Sequence, residues 1–156
     1  MIAGAVLAAS LVFSPVVTEQ PPMPTLTADK SHETMTGAKA PYRGKFWRKA
    51  QRDYTLCVLK RESNNHWFST HRSAGYFGGF QFSKALARGA TFMMTAELRD
   101  MYGDAMGRDI AAKLRTTEIH KWLPFFQHMA FATVLNWESD GSGASPWYGG
   151  RWRCSL

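Results

Sequence analysis

Residues 60–67, KRESNNHW, join two segments of contrasting pattern. Before them, from Phe46 to Val58, apolar residues recur at steps of three and four with charged residues between them, which predicts an amphipathic helix. Ser63-Asn64-Asn65 predicts the end of that helix, because serine and asparagine favour caps and turns over helix interiors. The sequence therefore places Glu62 on the last turn of a helix, directly before a turn.

The segment that follows has a different composition. Residues 66–83, HWFSTHRSAGYFGGFQFS, mix aromatic residues with three glycines, which predicts a short β-hairpin or loop. The chain then returns to helical patterns, with predicted segments at Lys84–Met94, Ala96–Met101, Arg108–Arg115 and Glu118–Trp137, the last started or kinked at Pro124. The predicted fold class is α+β, mostly α, with a small β element beside the helix that carries Glu62.

Composition and charge limit the kind of protein. The chain has 156 residues, of which 45% are hydrophobic and 13% aromatic, so it can form one packed domain with a tail and is not globally disordered. Its net charge of +7 indicates a polyanionic partner: nucleic acid, anionic lipid or bacterial cell wall.

The N-terminal third predicts an exported protein. Residues 1–17 carry no charged side chain, and their apolar core has the length of a signal-peptide core while being short for a membrane span. We therefore expect residues 1–17 to be a signal peptide or a membrane anchor. Residues 18–44, rich in proline and threonine, predict a flexible linker, and residues 45–156 the globular domain. The expected location is secreted or associated with the cell envelope.

The chain contains two cysteines, Cys57 and Cys154. In an exported protein an isolated pair usually forms one disulfide bond. Such a bond would tie the start of the domain to its last residues. The alternative is a pair of buried free thiols, as in a cytoplasmic protein.

Glu62 continues the apolar face of the predicted helix. Tyr54, Val58 and Glu62 are spaced by four residues and lie on one side of it. Partial burial and the negative end of the helix dipole both favour the protonated form of a carboxyl at this position. A protonated carboxyl beside a groove of glycine and aromatic residues is what a general acid for glycosidic cleavage requires. The alternative is a solvated glutamate at a helix end.

Three blocks of sequence, ESNNHW, GYFGGFQFS and WYGGRWRC, resemble in this order the transglycosylase-like domain of resuscitation-promoting factors. That family belongs to the lysozyme-like group of enzymes that cleave bacterial peptidoglycan. The resemblance covers residues 53–83 and, less closely, 147–154, whereas residues 84–146 do not align. It implies a small lysozyme-like domain acting on the MurNAc-β-1,4-GlcNAc bond.

Carried over by position, the resemblance implies Glu62 as the catalytic residue and a disulfide between Cys57 and Cys154. It implies five substrate-binding residues: Trp67, Tyr76, Gly78, Gly79 and Gln81. The glycines would let the backbone approach a sugar, Gln81 would bind an amide, and the two aromatic rings would offer flat faces. The alternatives are core packing for the aromatic residues and an ordinary tight turn for the glycines.

The chain departs from the family pattern at three places. The family cysteine usually directly precedes the acid, whereas Cys57 lies one turn earlier. Asn64-Asn65 stands where the family often has Gly-Gly. The family commonly has a Thr-Trp pair shortly after the glutamine, where this chain has Lys84-Ala85-Leu86-Ala87.

The implied reaction is lytic transglycosylation with Glu62 as general acid and base. One carboxylate suffices for it, whereas simple hydrolysis normally uses a second. Nothing in the sequence selects a second carboxylate from the four further candidates: Glu97, Asp104, Asp109 and Glu118. The alternative interpretation is that these four are solvated charges. The alternative function is a non-catalytic peptidoglycan-binding module with a degenerate groove.

Metal ions and nucleic acid fit the sequence less well as binding partners. The histidines form no HExxH motif, and the two cysteines are too far apart for a zinc knuckle, so we expect neither metal nor cofactor. Basic residues between Arg43 and Arg61 cluster with Trp47, as in nucleic-acid-binding proteins, but an exported chain is expected to meet peptidoglycan instead. We expect a monomer.

Overall fold

The computed structural model describes residues 22–26, 42–138, 142–147 and 153–156. These residues form a mostly helical fold with one small antiparallel sheet, which confirms the predicted α+β class. The helices and strands in chain order are α1 (Arg52–Ser63), β1 (Thr70–His71), β2 (Tyr76–Phe77), β3 (Phe82–Ser83), α2 (Lys84–Tyr102), α3 (Asp104–Thr116) and α4 (Pro124–Asn136). Short 3-10 turns lie at Lys49–Gln51, Ile119–Lys121 and Ser142–Trp147.

The sheet occupies the segment in which glycine and aromatic residues alternate. Its order is β1-β2-β3, with Thr70 opposite Phe77 and Phe77 opposite Phe82. Each strand has only two residues, because the chain turns tightly on both sides of β2. The hairpin predicted from the sequence is thus extended by a third strand that leads directly into α2.

Helix α4 forms the centre of the domain. Pro124 is its first residue, where the fixed φ of proline fits and its missing N–H is not needed. Every residue from 126 to 136 is buried, so the other elements cover this helix on all sides. The expectation that Pro124 starts a helix is therefore confirmed.

Helices α2 and α3 pack closely against each other. The predicted segments Lys84–Met94 and Ala96–Met101 are one continuous helix, and α3 begins four residues earlier than its predicted start. A Cβ on Gly107 would lie 2.5 Å from the backbone of Arg99, so only glycine permits this approach of the two helices.

The domain begins earlier than the sequence predicts. Within the expected linker 18–44, Leu26 is buried in the core and its carbonyl accepts a hydrogen bond of 3.0 Å from the Leu123 N–H. Tyr42 is also fully buried, which moves the boundary expected at residue 45. Apolar burial decides both positions. Residues 18–21 and 27–41 of the linker, and the predicted signal or anchor segment 1–17, lie outside the described residues.

Tyr42 holds a buried carboxylate, that of Glu97 on α2. The Tyr42 hydroxyl lies 2.6 and 2.7 Å from the two Glu97 oxygens, and the Lys45 N–H donates to Oε1 at 2.6 Å. Burial, and then the hydrogen bond to Glu97, raise the pKa of Tyr42. Glu97, which the sequence offered as a second acid or a solvated charge, is instead a buried anchor for the segment before α1.

We expect Tyr42→Phe to lower the free energy of unfolding by about 2–3 kcal/mol. The substitution removes a donor to a buried carboxylate and the acceptor of the Phe46 N–H. Urea denaturation measures the change. Tyr102→Phe, which removes a hydroxyl that makes no hydrogen bond within the described residues, should cost less than about 0.5 kcal/mol. Equal losses in the two variants would contradict the anchoring role.

His128 on α4 should make stability depend on pH. Its Nδ1 accepts from the Tyr42 N–H at 3.0 Å, and burial, followed by the charge of Arg43, lowers the pKa of His128 to about 3. At pH values between about 3 and the unfolded pKa of about 6.5, His128 is protonated in the unfolded state and neutral in the folded state. Stability is therefore complete above about pH 6.5 and falls as the pH drops, by roughly 2 kcal/mol at pH 5.

Urea denaturation at several pH values checks this dependence. His128→Asn should flatten the slope, leaving the smaller contribution of His120, whose pKa burial also lowers. His71→Asn, on an exposed residue of β1, should leave the slope unchanged. If the free energy of unfolding of His128→Asn depends on pH as steeply as that of the wild type, other groups cause the pH dependence.

Candidate functional site

Glu62 lies where the buried face of α1 reaches the surface. Tyr54 and Val58, two turns and one turn earlier, are 2% and 0% exposed. The Glu62 side chain is 24% exposed. The predicted face is therefore present, and its last member is a partly buried acid in contact with solvent.

Two asparagines end the helix directly after this acid. Asn64 and Asn65 have φ values of 55° and 67°, in the left-handed region. Asparagine is among the few residues besides glycine that adopt this conformation readily. The two N–H groups return to carbonyls in the last turn of α1, with Asn65 reaching Leu59 at 3.3 Å. Asn-Asn thus forms a turn of the kind that Gly-Gly favours.

Arg61 contacts the neighbouring acid, contrary to the sequence expectation. Helical residues next to each other point about 100° apart, which predicts that Arg61 turns away from Glu62. In the structure Nε and Nη2 of Arg61 lie 2.8 and 2.7 Å from Glu62 Oε1, and the Arg61 side chain is 3% exposed. The buried guanidinium therefore holds Oε1 of Glu62 through charge-assisted contacts. Glu62 Oε2 makes no hydrogen bond within the described residues.

Trp147 fixes the position of that guanidinium. Its carbonyl accepts a hydrogen bond of 2.5 Å from Arg61 Nη2, and its indole Nε1–H donates to the Phe80 carbonyl at 2.8 Å. The ring is 3% exposed and packs edge-on against Phe82 and Phe131. Trp147 therefore connects the end of α1 with the glycine-containing loop.

The glycine pair is held by Gln127 of α4. The Gly79 N–H donates to Gln127 Oε1 at 2.9 Å, and Gln127 Nε2 donates to the Trp122 carbonyl at 2.9 Å. Gly78 has a φ of 80°, and a Cβ there would lie 2.7 Å from Gln127 Oε1. Both glycines are buried, and contacts inside the protein already leave no room for a side chain at either position. Sequence reasoning missed Gln127, whose only signal was a polar residue within an apolar run.

The other predicted substrate-binding residues differ in exposure. Trp67 is 2% exposed and packs edge-on against Phe80, and Gln81 is buried with its Nε2 bonded to the Gly78 carbonyl at 2.7 Å. Neither presents the expected open face, because both complete the core under the loop. Gln81 Oε1 is buried without a partner among the described residues. Tyr76 is 46% exposed and remains available to a ligand.

The predicted disulfide is present. Cys57 and Cys154 are joined, with their Cα atoms 5.8 Å apart and a sequence separation of 97. Cys57 lies on α1 about one turn and a half before Glu62. The bond therefore attaches the end of the chain to the helix that carries the candidate acid.

The remaining carboxylates are engaged elsewhere or exposed. Asp104 pairs with Arg99 at 2.6 Å and with Arg108. The exposed Glu118 lies 3.2 Å from Lys121, whose hydrogen bond is the main cause of a lowered pKa at Glu118. Asp109 is exposed on α3.

Glu97 is unsuited to share a site with Glu62. It bonds to Lys45, before α1 begins, whereas Glu62 lies on the last turn of that helix. The Glu97 carboxylate is therefore already engaged by the segment before α1.

Within the part of the chain that the structure describes, no three histidine, cysteine or acidic side chains are grouped as metal ligands. Nor does any helix in those ranges have the length and apolar character needed to cross a membrane. Neither a protein-family model nor a curated protein nor a solved structure matches the chain.

Proposed function

We propose that this protein is a peptidoglycan-cleaving enzyme of the lysozyme-like type, which acts on the MurNAc-β-1,4-GlcNAc bond by lytic transglycosylation. The observation that carries the proposal is the state of Glu62. One carboxylate oxygen is held by the buried Arg61, while the other makes no hydrogen bond within the described residues and the side chain reaches solvent. A carboxyl held in one orientation at a partly open position meets the geometric requirement of a general acid.

The three sequence blocks that carry the family resemblance meet in space. Glu62 belongs to the first block, Phe80 and Phe82 to the second, and Trp147 to the third. Trp147 bonds to Arg61 and to Phe80 and packs on Phe82. This convergence, and the left-handed Asn64-Asn65 pair where the family has glycines, support the lysozyme-like assignment.

In the proposed reaction Glu62 donates a proton through Oε2 to the oxygen that leaves the MurNAc–GlcNAc bond. The resulting carboxylate then accepts the proton of the MurNAc 6-hydroxyl as that oxygen attacks C1, which gives a 1,6-anhydro product. Arg61 stabilises the carboxylate formed after the first transfer. Glu62 is protonated again by this second transfer, so the cycle returns to its starting state.

A second candidate function is a peptidoglycan-binding module without turnover. The Arg61–Glu62 pair favours it, because an acid held by a buried arginine can have a purely structural role. The burial of Trp67 and Gln81 favours it too, since both are unavailable to the glycan in this conformation.

The proposed substrate agrees with the charge and the disulfide. A net charge of +7 suits an acidic wall polymer, and a disulfide suits an oxidising compartment. We therefore propose a secreted or envelope-associated protein, with residues 1–17 as its signal peptide or membrane anchor.

Mass spectrometry of the muropeptides released from purified peptidoglycan by the full, oxidised chain tests the proposal. Anhydro-muropeptides are the expected product. Reducing-end products would indicate a hydrolase that uses a second acid. Binding to the wall without release of fragments would replace the enzyme with the binding module, and neither binding nor release would reject both functions.

A further inference from the structure

A cavity of about 200 Å³ lies between the start of α2, the end of α3 and the segment that leads to α4. Its apolar lining consists of Phe77, Ala87, Leu114, Ile119 and Trp122. Its charged lining consists of Lys84, Arg88, Arg115 and Glu118. Three cations and one anion therefore surround an apolar interior, an arrangement that favours a ligand with an anionic end and an apolar body.

Arg115 is held in place before any ligand arrives. Its guanidinium carbon lies 3.7 Å from the centre of the Phe92 ring, and its Nε donates to Thr91 Oγ1 at 3.1 Å. A guanidinium has five N–H donors, and the four on the two terminal nitrogens of Arg115 make no hydrogen bond within the described residues. A prepositioned group of this kind loses little conformational entropy on binding an anion.

The acidic side chains near the cavity neutralise little of its positive charge. No acidic side chain among the described residues pairs with Arg88 or Arg115. Lys84 lies 3.8 Å from Glu118, which is closer to Lys121 outside the cavity at 3.2 Å. Two guanidinium groups are thus available, and their planar fork matches a carboxylate in a bidentate manner.

We infer that this cavity binds the C-terminal carboxylate of a short peptide with small apolar side chains. The inference rests on the proposed function, in which such a peptide is the stem of the wall polymer. A bare phosphate would satisfy the arginines but would leave the apolar lining exposed to water, whereas a methyl-bearing peptide end covers it. Most of the cavity is formed by residues 84–122, in the region that does not align with the family.

The site would give the protein a second point of recognition on its substrate. Phe77 of β2 lines the cavity, and the adjacent Tyr76 is exposed on the same strand. The sheet that follows α1 therefore contributes a residue to the lining of the peptide site. Binding of a stem peptide in this cavity would position the protein on the wall polymer independently of the chemistry at Glu62.

Nuclear magnetic resonance titration of the full, oxidised chain with acetylated Lys-D-Ala-D-Ala tests the inference. Trp122, which lines the cavity, reports through its indole N–H resonance. The free peptide acid should shift this resonance, and the C-terminal amide of the same peptide should bind at least about tenfold more weakly, because it lacks the charge.

Three variants with the same change of charge locate the site. Arg88→Gln and Arg115→Gln should each weaken binding on the order of tenfold. Arg52→Gln, on an exposed position of α1, should change it by less than about twofold. Arg88 is exposed, so we expect Arg88→Gln to keep the fold intact. This variant therefore tests the site even if Arg115→Gln is destabilised by loss of the Arg115–Phe92 contact.

The following results would overturn the inference. Equal binding of the acid and the amide, or unchanged binding by Arg88→Gln, would show that the cavity does not recognise the carboxylate. Competition by inorganic phosphate at similar concentration would make it a general anion site. The probe contains no glycosidic bond, so its binding is independent of turnover: cleavage of peptidoglycan without peptide binding rejects this inference alone.

Discussion

Replacing Glu62 by glutamine is expected to lower the rate of muropeptide release about a thousandfold while the fold is retained. Glutamine has nearly the same shape, and the position is partly exposed, so the core is not disturbed. The amide cannot donate the proton that the leaving oxygen requires, and loss of a general acid typically costs 10²–10⁴-fold. The rate is measured by quantifying released muropeptides under conditions of excess peptidoglycan.

Asp53→Asn provides a matched control for this substitution. Asp53 lies on the same helix, its side chain is 93% exposed, and the change removes the same charge. Its rate of release should remain within about twofold of the wild-type rate. Glu62→Gln should still bind purified peptidoglycan, because the exposed Tyr76 is unchanged. A rate within tenfold of wild type would mean that Glu62 is a structural partner of Arg61 and that another group supplies the proton.

Removing the disulfide should cause the largest loss of stability. The bond closes a loop of 97 residues, and the chain-entropy model gives about 4–5 kcal/mol for a loop of that size. Cys57→Ala combined with Cys154→Ala should lower the free energy of unfolding by up to that amount. Urea denaturation of the oxidised wild type and of the double variant measures the difference.

The same experiment in the presence of a reductant provides the control. Reductant should destabilise the wild-type protein toward the level of the double variant and should leave the variant unchanged. The double variant should also lose part of its activity near its unfolding transition, because Cys57 lies on the helix that carries Glu62. A difference below about 1 kcal/mol would show that other contacts already hold the end of the chain on α1.

Local physical chemistry was sufficient to predict the helix that carries the candidate acid. The four-residue spacing of Tyr54, Val58 and Glu62 predicts a shared face, and the structure places all three there. The end of α1 at the asparagines and the start of α4 at Pro124 follow from backbone preferences of single residues. The pairing of the cysteines was accessible because the chain contains only two.

The roles of the loop residues depended on partners that are distant in sequence. Gly79 is bound by Gln127, 48 residues away, and Arg61 by Trp147, 86 residues away. No periodicity in the sequence encodes such contacts. The family resemblance implies that Trp67 and Gln81 bind the sugar, whereas packing against Phe80 and bonding to Gly78 bury them.

Sequence by itself determined where Glu62 lies on its helix and where that helix ends, and it favoured a bond between the two cysteines. Tertiary structure alone decided which oxygen of Glu62 is engaged, that Tyr42 and Leu26 belong to the domain, and that Glu97 is a buried anchor. The physical reason is the range of the interactions. Helix faces and caps arise between residues a few positions apart, whereas burial and charge pairing arise between segments that meet only when the chain is folded.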